Sequence, residues 1–164
     1  MPAANLAPDT PALAYLASTD LEHEVVRTRR ADSVEDAARL RGMPVAAILK
    51  TIVVRRGDGD YVFVLVPGDR AIDWGKLRKH LGVRRLSLPD AEAAREATGY
   101  ERGAITPFGS TRPWPVVADA LVNELGSVSI GGGDHGVSVT IAGRALLDHL
   151  AADVADVTKV RDTS

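Results

Sequence analysis

The sequence predicts an α+β fold: a single compact domain with a curved mixed β-sheet and flanking helices. Two runs rich in β-branched and aromatic residues, Ile48 to Arg55 and Tyr61 to Val66, flank the turn Gly57-Asp58-Gly59 and read as a hairpin. Short helices with recognisable caps are mixed in among such strands, as in α+β domains. With 164 residues, 45% apolar and 26% charged, the chain is long and apolar enough for one ordinary core.

Residues 1–9 read as a flexible tail ahead of a domain spanning 10–160. Thr10 then offers a capping hydroxyl, and Pro11 lacks an N–H where none is needed, so a helix starts here with Leu13, Leu16 and Ala17 as its apolar stripe. His23 to Arg29 predicts a short strand centred on Val25 and Val26. Ser33 caps a second helix with Asp36 placed as the acid of a capping box; Ala37, Ala38 and Leu40 form its buried side, and Gly42 with Pro44 stops it. After the hairpin, closed by Pro67 and Gly68, Asp73 caps a basic helix that runs through Leu81 to Gly82. A strand over Val83 to Leu86 and a helix from Pro89 to Thr98 follow. Six Gly and Pro residues between Gly99 and Pro115 exclude a regular element, while Tyr100, Ile105, Phe108 and Trp114 give that loop its own packing. Strands are then expected over Val116–Ala118, Val128–Ile130, Val137–Ile141 and Val154–Val157, with a helix around Ala145 to Leu150.

Composition removes many functions. Twenty Lys and Arg against 22 Asp and Glu leave a net charge of −2, so no global field recruits nucleic acid; DNA is not an expected partner, and any polyanion site is a local patch. The absence of cysteine excludes disulfides, thiolate zinc sites and Cys nucleophiles. No stretch approaches the roughly 20 apolar residues that cross a bilayer, and Met1 to Thr10 lacks the regions of a signal peptide. A cytoplasmic protein with no membrane partner is the expectation. There is no GxxxxGK[ST], GxSxG or HExxH, and His23, His80, His135 and His149 are scattered without metal-ligand spacing, so no metal or organic cofactor is indicated.

Three features could carry chemistry. Lys50 interrupts the apolar run from Val45 to Val54; it is either an edge lysine with a packed stem and a wet ammonium, or a charge needed where it sits. The glycines of the loop 99–109 either serve backbone geometry alone or let N–H groups approach an anion or ester carbonyl. Gly131-Gly132-Gly133-Asp134-His135-Gly136 either turns the chain or clears space for a substrate; Asp134 and His135, adjacent in sequence, read as a solvated turn. Basic clusters at Arg27, Arg29 and Arg30, and at Lys76, Arg78, Lys79, His80, Arg84 and Arg85, are solvated faces or phosphate contacts.

Lys50-Thr51, the loop Gly99-Tyr100-x-x-Gly103-x-Ile105-x-Pro107-Phe108-Gly109 and Gly131-Gly132-Gly133-x-x-Gly136 occur in this order and spacing in the YbaK-like family. The family comprises free-standing relatives of the editing insertion of bacterial prolyl-tRNA synthetase, and the resemblance spans about residues 20–157. It implies an aminoacyl-tRNA deacylase that hydrolyses the ester of a mischarged small amino acid (Ala, Cys or Ser), with tRNA(Pro) as the expected tRNA and prolyl-tRNA synthetase as a candidate partner. By this resemblance Lys50 and Gly103 are catalytic: Lys50 holds the terminal adenosine and its phosphate, and Gly103 with its neighbours offers N–H groups. Thr51, Ile105, Pro107, Phe108, Gly131, Gly132, Gly133 and Ser138 are the implied substrate-binding residues. Ser138 stands where some cysteine-specific members carry an acid, and Thr28 where they carry a tyrosine, so both departures count against cysteine specificity. Phe108 replaces the commoner leucine. A non-catalytic tRNA- or synthetase-binding module with the same fold is the alternative.

Overall fold

The computed structural model describes residues 9–161, so all but Asp9 of the expected tail lies outside the described residues. Helix α1 (Pro11–Ala17) starts where the Thr10 hydroxyl accepts the Leu13 N–H. Its buried side is Ala12, Leu13 and Leu16; Ala17, expected there, is exposed. Strand β1 (Glu24–Arg27) is shorter than its predicted range.

Helix α2 (Val34–Arg41) runs from the Ser33 cap to Gly42 in the left-handed region, with Leu40 only half-buried. Asp36 departs from its expected capping role. Its buried carboxylate accepts both Arg29 guanidinium nitrogens at 2.8 and 2.9 Å, Arg39 at 2.7 Å and the Asp32 N–H at 2.9 Å. Bound chiefly by Arg29, that carboxyl is held far below the ordinary carboxylate range.

The hairpin consists of β2 (Leu49–Gly57) and β3 (Asp60–Pro67). Next come β4 (Arg70–Ile72), α3 (Trp74–Leu81) and α4 (Ala91–Thr98). The chain then forms β5 (Val116–Asp119), a 3₁₀ turn (Ala120–Glu124), β6 (Ser127–Gly131) and β7 (Val137–Ala142). Helix α5 (Gly143–His149), β8 (Asp153–Ala155) and β9 (Thr158–Val160) complete the described elements. None of the described helices is long and apolar enough to cross a membrane.

The strands form three ladders. One is antiparallel, in the order β1-β7-β6; the second is the mixed sheet β2-β3-β5-β8, antiparallel at β2/β3 and parallel beyond; the third is the pair β4-β9. A single bridge, Ile48 to Ser129, joins the first two. Strand β3 lies centrally and is apolar on both faces: Phe63 and Leu65 enter the larger core with Leu16, Phe108, Ile130 and Leu146, while Val62, Val64 and Val66 meet Ile72 and Leu77 in a second.

Three expectations need correction. Val83–Leu86 forms no strand: Arg84 and Arg85 are exposed, Leu86 packs on the second core, and the backbone pairing here among the described residues is Ser87 with Arg55 at 2.8 and 3.1 Å. The helix expected from Pro89 begins at Ala91, because the Asp90 carboxylate takes the capping role. The closing strand expected over Val154–Val157 ends at Ala155, since the backbone N–H of Val157 turns aside to the buried Asp119 carboxylate.

Asp36 yields a pH prediction. A carboxyl with a depressed folded-state pKa contributes stability above its unfolded value, about pH 4, and loses it as pH falls further. Asp36→Asn is expected to unfold at a lower temperature than wild type at neutral pH. Thermal melts should show this gap closing between about pH 5 and 2; a constant gap would show that the ionised carboxylate is not its source.

Candidate functional site

The outer edge of β2 organises the site. At one end Ile48 bridges Ser129, and at the other Arg55 exchanges both backbone bonds with Ser87. Among the described residues no strand pairs with that edge in between. Antiparallel strands point alternate residues' backbone groups to opposite sides. With Arg55 bonded outward, the N–H and C=O of Thr51 and Val53 also face the open edge.

Two lobes adjoin along this edge, sharing Thr51, Gly103 and Ile105. One, of about 240 Å³, is walled by Lys50, Arg41, Ala37 and Gly131; the other, of about 290 Å³ and largely apolar, by Ile52, Val53, Leu88, Pro89 and Arg102. No carboxylate, thiol or imidazole lines either lobe. The Thr51 hydroxyl is buried and bonded to nothing among the described residues. A buried hydroxyl without a partner is costly, so it marks a place where a ligand would complete the bonding.

Lys50 is half-buried, and its ammonium is not merely wet: Nζ donates to the Arg70 carbonyl of β4 at 2.5 Å. Burial pushes its pKa below that of a free lysine, with Arg161 adding to the effect and Asp69 and Glu35 opposing it. Its other two N–H donors make no hydrogen bond to the described residues.

Gly103 adopts φ +92, and a Cβ there would sit 3.2 Å from the His135 ring, so glycine suits both conformation and space. Its N–H makes no bond within the described residues, whereas the next, that of Ala104, returns to Glu101 at 2.9 Å. The loop is held from beneath. Tyr100 donates its hydroxyl to the Phe108 carbonyl at 2.5 Å, and burial raises its pKa to about 12.

The structure therefore gathers Lys50, Thr51, Gly103, Ile105 and Gly131 around one opening. It sends the other implied residues elsewhere. Phe108 is fully buried in the core beside Tyr15, and Pro107 lines a separate cleft with Trp114 and His149. Gly132 accepts the Thr10 hydroxyl at 2.7 Å, tying the glycine turn to α1. Gly133, at φ +96, lies against Tyr100 and Thr10. Ser138 is buried on β7, opposite Gly131 and Val26 in register. Asp134 is exposed and accepts the His135 N–H, while the His135 ring leans on the Gly103 loop with Glu101 at 3.8 Å.

Arg41 was not singled out from the sequence. It is half-buried, its one hydrogen bond within the described residues goes to the Ser129 hydroxyl at 3.0 Å, and burial lowers its pKa. Its signal was helical spacing: it follows Ala37 by four residues, on the buried side of α2. The smaller lobe thus carries two cations and no acid. Such a site can hold an anion beside unpaired backbone donors, but its lining offers no carboxylate or imidazole to act as a general base.

The aminoacyl-tRNA editing domain family model matches residues 28–149. A proline–tRNA ligase of Xanthomonas axonopodis is 34% identical over 161 residues, 96% of this chain and 28% of its own length. EbsC of Enterococcus faecalis, described as a candidate Cys-tRNA(Pro)/Cys-tRNA(Cys) deacylase, is 25% identical over 77% of each chain. A crystal structure described as a candidate trans-editing enzyme for prolyl-tRNA synthetase matches with a TM-score of 0.78 at 28% identity, covering 84% of this chain and 87% of that one. The chain spans about a fifth of the length of the first proline–tRNA ligases it matches, 19% in that of Thermosipho africanus.

The unpaired hydroxyl gives a test independent of any substrate. Thr51→Val is expected to leave the thermal midpoint unchanged or to raise stability by up to about 1 kcal/mol, because it removes an unsatisfied polar atom at nearly constant shape. A midpoint lowered by several degrees in calorimetry would mean that the hydroxyl has a structural partner.

Proposed function

The chain belongs to the aminoacyl-tRNA editing domain family, and from that premise we propose that it is a trans-editing deacylase. In this reading it hydrolyses the ester joining a mischarged small amino acid (alanine, cysteine or serine) to the 3′ end of tRNA(Pro), in the cytoplasm alongside prolyl-tRNA synthetase. The observation that carries the reading is the gathering of Lys50, Thr51, Gly103, Ile105 and Gly131 around an opening with cations and free backbone donors but no carboxylate, thiol or imidazole among its lining residues. An aminoacyl ester is already activated, so positioning and charge stabilisation suffice to speed its hydrolysis.

The roles follow from the chemistry of each group. Lys50 holds the phosphate of the terminal nucleotide with the two donors that Arg70 leaves over. The Gly103 N–H polarises the ester carbonyl and stabilises the oxyanion formed as a water molecule attacks. Thr51 bonds the terminal ribose through its otherwise unpaired hydroxyl. The apolar lobe beside Ile52 and Val53 takes the amino acid side chain. Cysteine is the least favoured of the three, since Ser138 replaces an acid found in some cysteine-specific relatives.

Single-turnover hydrolysis of tRNA(Pro) charged separately with alanine, cysteine, serine and proline tests the function. Loss of a mischarged species with the prolyl form spared is expected. Retention of every ester at saturating protein overturns deacylation of this tRNA and leaves the binding-module alternative. Lys50→Ala is expected to keep its fold by circular dichroism and to slow hydrolysis by about 100-fold or more, in the range for loss of one charge-stabilising group. Its turnover at the wild-type rate would remove Lys50 from the mechanism. In wild type, substrate binding should weaken on the alkaline side at a lower pH than a free lysine would impose, as Lys50 loses its proton.

A further inference from the structure

Beyond the Arg55–Ser87 bridge, the hairpin and the segment following α3 enclose a cleft of about 590 Å³. Arg55, Arg56, Arg78, Arg84 and Arg85 line it, with Asp58 the only acid among its lining residues. Arg55 pairs with Asp58, and Arg56 with Asp60 at 3.0 Å. The side chains of Arg78, Arg84 and Arg85 make no ion pair or hydrogen bond to the described residues. Three positive charges thus stand uncompensated in one concavity of a chain whose net charge is −2.

Such crowding is unfavourable for the free protein. Like charges that line one cleft repel, and salt damps that repulsion only in part. A solvated face would spread the charges or interleave acids, as α3 does where Lys76 meets Asp156 and His80 meets Asp153. The arginines sit in a hollow instead, and planar guanidinium groups are suited to paired hydrogen bonds with phosphate oxygens.

The hollow adjoins the substrate opening, with the Arg55–Ser87 bridge between them. Strand β2 passes from Thr51 and Val53 in one to Arg55 and Arg56 in the other, and the opposite wall passes from Ser87 in the arginine cleft to Leu88 and Pro89 in the apolar lobe. From Lys50 to Arg55 is five residues of strand, about 17 Å at about 3.3 Å each. That distance matches about five nucleotides of stacked strand at about 3.4 Å each. A charged tRNA ends in a single-stranded tail of four nucleotides, beyond which the acceptor duplex begins.

We propose that the arginine cleft binds backbone phosphates at the end of the tRNA acceptor duplex, so that the tail runs along the open edge of β2 to the opening at Lys50. The proposal rests on the deacylase reading for its ligand and adds where the RNA lies and which residues carry it. Arg84 and Arg85 are exposed and outside both cores, so substituting them leaves the fold intact.

The test uses Arg84→Glu/Arg85→Glu and, as a milder form, Arg84→Gln/Arg85→Gln. Binding of an uncharged acceptor-stem minihelix is measured from 50 to 300 mM salt. Wild type should show a log–log salt slope steeper than the Gln variant's by about 2, since each lost phosphate contact removes about 0.9. At 0.1 M salt the Glu variant should bind at least tenfold more weakly. Hydrolysis is then compared on charged tRNA and on a charged CCA trinucleotide, which is too short to reach the cleft. The variants should raise the protein concentration needed for half-maximal rate on tRNA and match wild type on the trinucleotide.

Unchanged minihelix affinity and slope overturn the proposal, and so does an equal loss on the trinucleotide, which would place the arginines' effect in the substrate opening. If wild type hydrolyses neither charged species while the salt slopes still differ, the deacylase reading fails and the RNA surface stands. If wild type hydrolyses charged tRNA and the variants do so equally well, the surface fails and the deacylase reading stands.

Discussion

An unpaired strand edge is a hazard in most proteins because its free backbone groups invite another strand. Here the edge of β2 is kept short and bounded at both ends, by Ser129 and by Ser87, and charged residues stand within or beside the gap. What remains is a few residues of extended backbone whose donors and acceptors have no internal use. The two lobes, the placement of Gly103 opposite Thr51, and the path towards the arginines all depend on that gap staying open. A strand laid along it would satisfy the backbone and abolish the site.

The same region concentrates groups that a protein built for stability alone would not keep. Arg41 is desolvated with a single hydroxyl as partner, Lys50 shares one carbonyl, and Thr51 buries an unpaired oxygen. Asp36 shows the opposite arrangement: two arginines and a backbone N–H converge on one carboxylate. Departures from local consistency cluster where function competes with stability, and this grouping supports the choice of site.

Elements with local causes were legible in the sequence. Ser33 and Gly42 bound α2, Asp73 and Gly82 bound α3, and Gly57-Asp58-Gly59 turns the hairpin, because caps and turns are decided within a few residues. Strands β4 and β9 were not foreseen, being only three residues each and stabilised by pairing with one another across more than 80 positions. Arg84 and Arg85 were read within a strand, yet long-range geometry leaves just one pairing there. Among site residues, Lys50 and Gly103 stood out by interrupting a pattern or belonging to a motif. Arg41 did not, because its helix reads as surface until β6 is seen beside it. Phe108 shows the reverse case: a motif residue whose apolar ring takes a place in the core.

The hydrogen bond from Thr10 to Gly132 has a consequence for modularity. The glycine turn at the edge of the site is fastened to a helix that precedes the family-matched segment, residues 28–149. That helix also places Ala12, Leu13 and Leu16 in the main core, and β1, just ahead of the match, completes the sheet that holds Gly131. A fragment cut at the limits of family similarity would keep every motif and lose their scaffold. The transferable unit in any graft or circular permutation therefore begins no later than Thr10, and the recognisable signature is smaller than the body that makes it work.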